Sequence, residues 1–176
     1  PPGYNGGILQ AWLLLPVAAV ALAPVRFRNV ARSAGVEFVL ENTPTAEKHL
    51  IETMAGGLAV FDYNGDGRPD IFFTNGATVP ALEKNAPRYF NRLYRNLGNG
   101  KFEDVTAKAG IKGGVWAVAA GWFDYDNDGR LDLFVANYLQ WSPQTNRFCG
   151  DRALSLRAYC HPKYFEGLPN ALYRNR

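Results

Sequence analysis

The sequence predicts an all-β chain, a β-propeller fragment of about two blades preceded by an apolar leader, because three elements each occur twice in one order. The first is Phe61-Asp62-Tyr63-Asn64-Gly65-Asp66-Gly67-Arg68-Pro69-Asp70-Ile71-Phe72, which returns as Phe123-Asp124-Tyr125-Asp126-Asn127-Asp128-Gly129-Arg130-Leu131-Asp132-Leu133-Phe134. The second runs from Phe27 to Val36 and returns from Phe102 to Ile111, keeping Phe, Asn or Asp, Val, Ala and Gly in register. The third, Asn91-Arg92-Leu93-Tyr94-Arg95-Asn96, returns as Asn170-Ala171-Leu172-Tyr173-Arg174-Asn175. Self-similar units of short apolar runs and Gly-rich turns are the signature of stacked repeats, and four strands make one propeller blade.

Residues 1–24 form the leader. The run from Ile8 to Ala23 is broken by Gln10 and Pro16 and falls short of the roughly 20 residues of a membrane span. It reads as the apolar part of a truncated export signal, with small-x-small sites at Ala19-Val20-Ala21 and Ala21-Leu22-Ala23, although no basic residue precedes it. A buried helix and an uncleaved anchor are the alternatives, and membrane contact is expected only if the leader is uncleaved. The chain begins at Pro1 and ends at Arg176, directly after a motif whose earlier copy is followed by another strand. It is therefore expected to be a piece of a longer protein.

Residues 25–54 are read as an N-terminal strand at Phe27–Val30 and a connector. That strand is expected either to complete the last blade of the intact propeller or to pack beside the first blade. Glu37, Glu41, Glu47, His49 and Glu52 in the connector read as a solvated polar stretch rather than acid/base machinery. The first blade spans residues 55–116, with strands at 55–61, 70–75, 91–96 and 101–106. The second spans residues 117–176, with strands at 117–123, 132–137 and 170–175 and no fourth strand. Its inserted loop, 138–169, holds Cys149, Cys160 and His161 among several aromatic residues and is an expected contact surface. In an exported protein the two cysteines would pair. Two buried thiols, or a zinc site sharing His161, are the alternatives.

The Asp-rich stretches carry the chemistry. Oxygen-bearing side chains fall at loop positions 1, 3, 5 and 9, with Gly67 or Gly129 at position 6. That spacing wraps a tight loop around one hard cation, and calcium is the natural occupant. Position 7, Arg68 or Arg130, is expected to offer its backbone carbonyl and to turn its side chain to water. Crowded carboxylates repel by about 1–4 kcal/mol per pair, so a cation would relax both loops. An EF-hand would need a bidentate Glu at position 12, where Phe73 and Val135 stand. The apolar flanks read as strands, so each loop joins strand to strand.

Composition limits the alternatives. With 47% hydrophobic and 14% aromatic residues over 176 positions, the chain has enough apolar material for a packed core. The net charge of +3 comes from single Lys and Arg residues without a basic tract, so nucleic-acid binding is not expected. There are two His and three Ser and no nucleophile, metalloprotease or phosphate-loop motif. No catalytic residue is assigned, and the chain is not expected to be an enzyme.

Together the Asp-rich loops, the Leu-Tyr-Arg-Asn strands and the Phe-x-Asp-Val-Thr segment resemble FG-GAP/VCBS-type repeat proteins. The likeness covers roughly residues 25–176 and is greatest for the branch with a C-terminal ASPIC/UnbV domain, the cartilage acidic proteins. It implies an integrin-like, seven-bladed propeller in an exported protein that is extracellular, at the cell surface or periplasmic. It also implies Ca2+ held by Asp62, Asn64, Asp66, the Arg68 carbonyl and Asp70, and by Asp124, Asp126, Asp128, the Arg130 carbonyl and Asp132. The implied role is adhesion or recognition of an extracellular protein or carbohydrate. This chain lacks the remaining blades and any ASPIC/UnbV segment. The second reading is an accessory or catalytic propeller part of a secreted polysaccharide-acting enzyme.

Overall fold

A computed structural model describes residues 25–111 and 114–176; the leader lies outside them. Strands β1 (Leu58–Phe61), β2 (Asp70–Phe73), β3 (Arg92–Asn96) and β4 (Phe102–Asp104) form one antiparallel sheet in sequence order. Strands β5 (Ala117–Phe123) and β6 (Asp132–Asn137) pair in the same way, and β9 (Ala171–Tyr173) joins β6. Between β6 and β9, strands β7 (Cys149–Asp151) and β8 (Leu156–Ala158) make a separate hairpin. The described chain is thus all-β, with one α-helical turn at Thr106–Ala109 and a few short 3-10 turns.

Register repeats along with sequence. Phe61 faces Asp70 across the first loop, and Phe123 faces Asp132 across the second. Alternation then decides what is buried, because successive side chains on a strand point to opposite faces. On β2, Asp70 and Phe72 are buried while Ile71 and Phe73 are half-buried. Phe72, Leu93, Val105 and Ile111 meet Ala117, Leu133 and Val135 in one core, so the two sheets bury their apolar faces against each other. The Phe61 ring stacks on Trp122 with centroids 3.3 Å apart. A second core gathers Leu50, Ile51, Ala77, Leu82, Trp116, Leu139 and Trp141, tying the connector and the base of the inserted loop to the sheets.

Phe27–Val30 forms no strand among the described residues, which include no last blade for it to complete. Residues 25–30 have no ladder partner, Phe27 is 96% exposed, and the chain instead closes a 3-10 turn at Arg32–Ala34. Local bonds explain the difference: Asn29 Oδ1 accepts from Ala31 N, and Ser33 Oγ donates to Val30 O. Such side-chain bonds compete with a ladder. In the second copy β3 lies alongside, and Phe102–Asp104 pairs with it. The turn that follows forms in both copies, ending at Gly35 and at Gly110, both in the left-handed region with φ of 85° and 73°. The first turn packs beside β4, where Lys101 Nζ donates to Ser33 O at 2.5 Å.

The connector is also less solvated than its composition predicts. Glu52 is buried, and its Oε1 accepts from Thr45 Oγ1 and from His49 N. It caps the 3-10 turn Leu50–Thr53.

Candidate metal centre

Each loop closes a strand pair and is shaped by its own carboxylates. In the first, Asp62 Oδ1 and Oδ2 accept from Asp66 N at 3.1 Å and Gly67 N at 2.6 Å. In the second, Asp124 Oδ1 and Oδ2 accept from Asp128 N at 3.0 Å and Gly129 N at 2.9 Å. Asp66 Oδ1 accepts from Arg68 N at 3.0 Å, and Asp128 Oδ1 from Arg130 N at 2.9 Å. The backbone turns left-handed at position 6, with φ of 80° at Gly67 and 83° at Gly129. It does so at position 4 as well, where Gly65 has φ 71° and Asn127 φ 57°. These are residues that tolerate such angles.

The ninth-position acids do a different job. Asp70 and Asp132 are fully buried, and each spans from its own loop to a neighbouring strand end. Asp70 accepts from Tyr63 N at 3.1 Å and Asn96 N at 2.7 Å. Asp132 accepts from Tyr125 N at 3.1 Å and Asn175 N at 2.8 Å. The Leu-Tyr-Arg-Asn strands therefore end where they do because their Asn amides are held by these aspartates. Burial pushes the Asp70 carboxyl up, against the Asn96 and Tyr63 amides, while the nearby Asp66 and Asp62 charges add to the rise. For Asp62, burial also acts upward, but the amides of Gly67, Asp66, Gly65 and Asn64 outweigh it and hold the carboxyl below its ordinary value.

The two loops differ in what they bring together. Ligand oxygens of Asp124, Asp126 and Asp128 all lie within 4.8 Å of one another; Asp132 stands outside that group. In the first loop Asn64 replaces the middle carboxylate, and its Nδ2 donates to Asp66 Oδ2 at 3.0 Å. Asp126 Oδ1 is buried with no hydrogen-bond partner. A buried carboxylate oxygen is costly to leave unpaired, so this orphan fits a cation bound among the three acids.

The arginines at position 7 keep their side chains about half exposed, yet each also pairs with a carboxylate of its own loop. Arg68 folds back onto Asp66 Oδ2 at 2.5 Å and Arg130 onto Asp128 Oδ2 at 2.7 Å. Arg174, from β9's end, reaches Asp126 Oδ2 at 2.7 Å. Clustered carboxylates attract the nearest mobile cations, and guanidinium forks match them well. The Arg130 amide, with the Arg130 and Arg174 charges, holds the Asp128 carboxyl below its ordinary value.

Sequence spacing located the loops but not two repeated asparagine contacts at the opposite end of each sheet. Asn75 N donates to Asn91 Oδ1 at 2.9 Å, and Asn137 N donates to Asn170 Oδ1 at 3.0 Å. Each pair ties the far end of the second strand of a sheet to the start of the third. The recurring Asn at the head of the third element was the available signal. The inserted loop is closed by a Cys149–Cys160 disulfide, which excludes free thiols and a zinc site built on them.

A known repeat family spans this double loop. Residues 62–135, from the first acid of one loop to the strand after the other, match the FG-GAP-like repeat. Those residues belong to that family. The chain is also 30% identical to cartilage acidic protein 1 of Xenopus tropicalis over 123 residues, which are 69% of this chain and 16% of that protein. The FG-GAP-like repeat here thus comprises β1's loop, β2 to β4 of the first sheet, the helical turn, β5, and the second loop with most of β6.

Proposed function

We propose that the chain is a calcium-stabilised recognition module of an exported protein, in which Ca2+ holds the strand-to-strand loops and surface loops engage an extracellular ligand. The observation that carries the calcium reading is the orphaned Asp126 Oδ1 inside a group of three converging carboxylates. Asp124, Asp126 and Asp128, with the Arg130 carbonyl, would hold the ion in the second loop. Asp62, Asn64, Asp66 and the Arg68 carbonyl would do so in the first. Asp70 and Asp132 stay in the proposed sets, since each of their oxygens accepts one amide and keeps a lone pair. The ion supplies charge neutralisation and a fixed turn, not a reaction step. Exported location is supported by the disulfide, a bond that persists in oxidising compartments, and by the likeness to a cartilage protein.

Affinities of extracellular calcium modules run at about 10⁻⁴–10⁻³ M, so millimolar calcium stabilises by about 1 kcal/mol per site. The test is thermal unfolding with calcium or with chelator. The wild type should melt several degrees higher in calcium. Asp126→Ala should lose the second site's share of that shift and alter stability in chelator little. Asp132→Ala should be destabilised by about 1–2 kcal/mol in chelator too, because two part-buried amides lose their acceptor. A melting temperature indifferent to calcium in the wild type overturns the proposal.

A further inference from the structure

We infer that hairpin β7–β8, with the turn that follows it, is a docking surface for an acidic polysaccharide bearing sulfate or carboxylate groups. This rests on the recognition reading above and names the class of ligand. Between residues 147 and 163 the chain carries Arg147, Arg152, Arg157 and Lys163 against the single acid Asp151. That surplus equals the +3 of the entire chain, so the remaining residues balance and the excess charge sits on one projection. Asp151 is turned into its own bend, its Oδ1 accepting from Ala153 N at 2.8 Å and Leu154 N at 3.1 Å.

The four cations are held in position without being neutralised. Among the described residues none of them makes an ion pair. Two aromatic rings hold them instead. The Arg152 and Arg157 guanidinium carbons stand 4.7 and 5.6 Å from the Phe148 centroid, and Arg147 Cζ and Lys163 Nζ each stand 5.2 Å from the Tyr164 centroid. A ring face orients a cation but leaves its charge intact. Two like charges over one ring repel, and an anion bridging them relieves that repulsion. Arg157 Nε is, in addition, a buried donor with no partner. Glu166 borders the shallow cavity of about 500 Å³ that Arg147 and Tyr164 also line, and marks the acidic rim of the surface.

Two further features favour a sugar polymer among polyanions. Leu154, Leu156 and Tyr159 are 67%, 60% and 49% exposed, giving apolar surface beside the cations for the faces of pyranose rings. The Cys149–Cys160 bond belongs to oxidising compartments, where the abundant polyanions are acidic glycans. It also fixes the hairpin before binding, which lowers the ordering cost.

The test is calorimetric titration of the intact protein, in calcium, with a heparin-derived octasaccharide. The comparison ligands are a neutral octasaccharide, an oligodeoxynucleotide and polyglutamate of matched charge. Arg152→Gln with Arg157→Gln, and separately Arg147→Gln with Lys163→Gln, should each weaken octasaccharide binding at least about tenfold and reduce the log–log salt slope by about 1–2. Arg28→Gln with Arg32→Gln, which removes two exposed charges elsewhere, should change it less than about twofold. Circular dichroism and an intact disulfide by mass show that each variant is folded. Equal weakening in the control pair, or tighter binding of the oligodeoxynucleotide or polyglutamate, overturns the inference. Absent octasaccharide binding with an intact calcium shift in melting overturns this inference alone; an absent calcium shift overturns the reading beneath it.

Discussion

Lys84 takes a positive charge into the interior with carbonyl groups as its partners. It is 9% exposed, and Nζ donates to Asn75 O at 2.5 Å, Gly76 O at 2.7 Å and Tyr89 O at 3.1 Å. Burial pushes its pKa down from 10.5 to about 7, while the three carbonyls favour the protonated form and oppose that shift. A depressed lysine binds fewer protons folded than unfolded between about pH 7 and 10.5. Stability therefore rises with pH across that window, and the penalty of the confined charge is complete below it. The urea midpoint is expected to increase from pH 7 to pH 9. The raised tyrosines, Tyr63, Tyr94 and Tyr138, ionise above that range. Lys84→Met should flatten the rise and cost about 1–3 kcal/mol at pH 7, because buried carbonyls lose their donor. A wild-type midpoint that does not move with pH would show that the carbonyls fully offset burial.

At the level of elements, the inserted hairpin and the sheets have separate supports. Strands β7 and β8 pair only with each other, and an isolated two-stranded hairpin is marginal in water. What holds it is the Cys149–Cys160 bond across a separation of 11 residues, worth about 3 kcal/mol on the chain-entropy account. The base of the insert is anchored otherwise. Gln140 N donates to Glu166 O at 2.7 Å, Leu168 N to Tyr138 O at 3.2 Å, and Trp141 is buried in the second core. Reduction under native conditions should therefore expose the amides of 149–158 to rapid hydrogen exchange while β2 and β3 keep their protection. Simultaneous loss of protection in β2 would instead make the hairpin part of the folding core.

Across the whole molecule, the sequence was most legible where one period governs local structure. The β2 and β6 patterns around Phe72 and Val135, and the glycines at position 6, follow from pleat alternation and from left-handed turns, so both sheets and both loops could be read directly. What escaped depended on neighbours distant in sequence. The reach of Arg174 to Asp126, the bonds from Asp70 to Asn96 and from Asp132 to Asn175, and the lack of a strand at Phe27–Val30 among the described residues are all set by which element lies alongside. The contact between the sheets is of the same kind, and Gly57 marks it. A Cβ at Gly57 would stand 2.5 Å from Val118 O and 2.8 Å from Ala119 Cα, both backbone atoms of the other sheet. Gly121, on that neighbouring strand β5, has nothing within 4 Å of the same position. Neither glycine adopts a positive φ, so space alone separates them. Gly57→Ala must push the sheets apart at Val118 and Ala119 and should cost about 1–3 kcal/mol, in the range of overpacked cores. Gly121→Ala should stay within about 0.5 kcal/mol of wild type. Urea unfolding monitored by Trp fluorescence measures both, and equal effects would mean that the sheets are not in close backbone contact at Gly57.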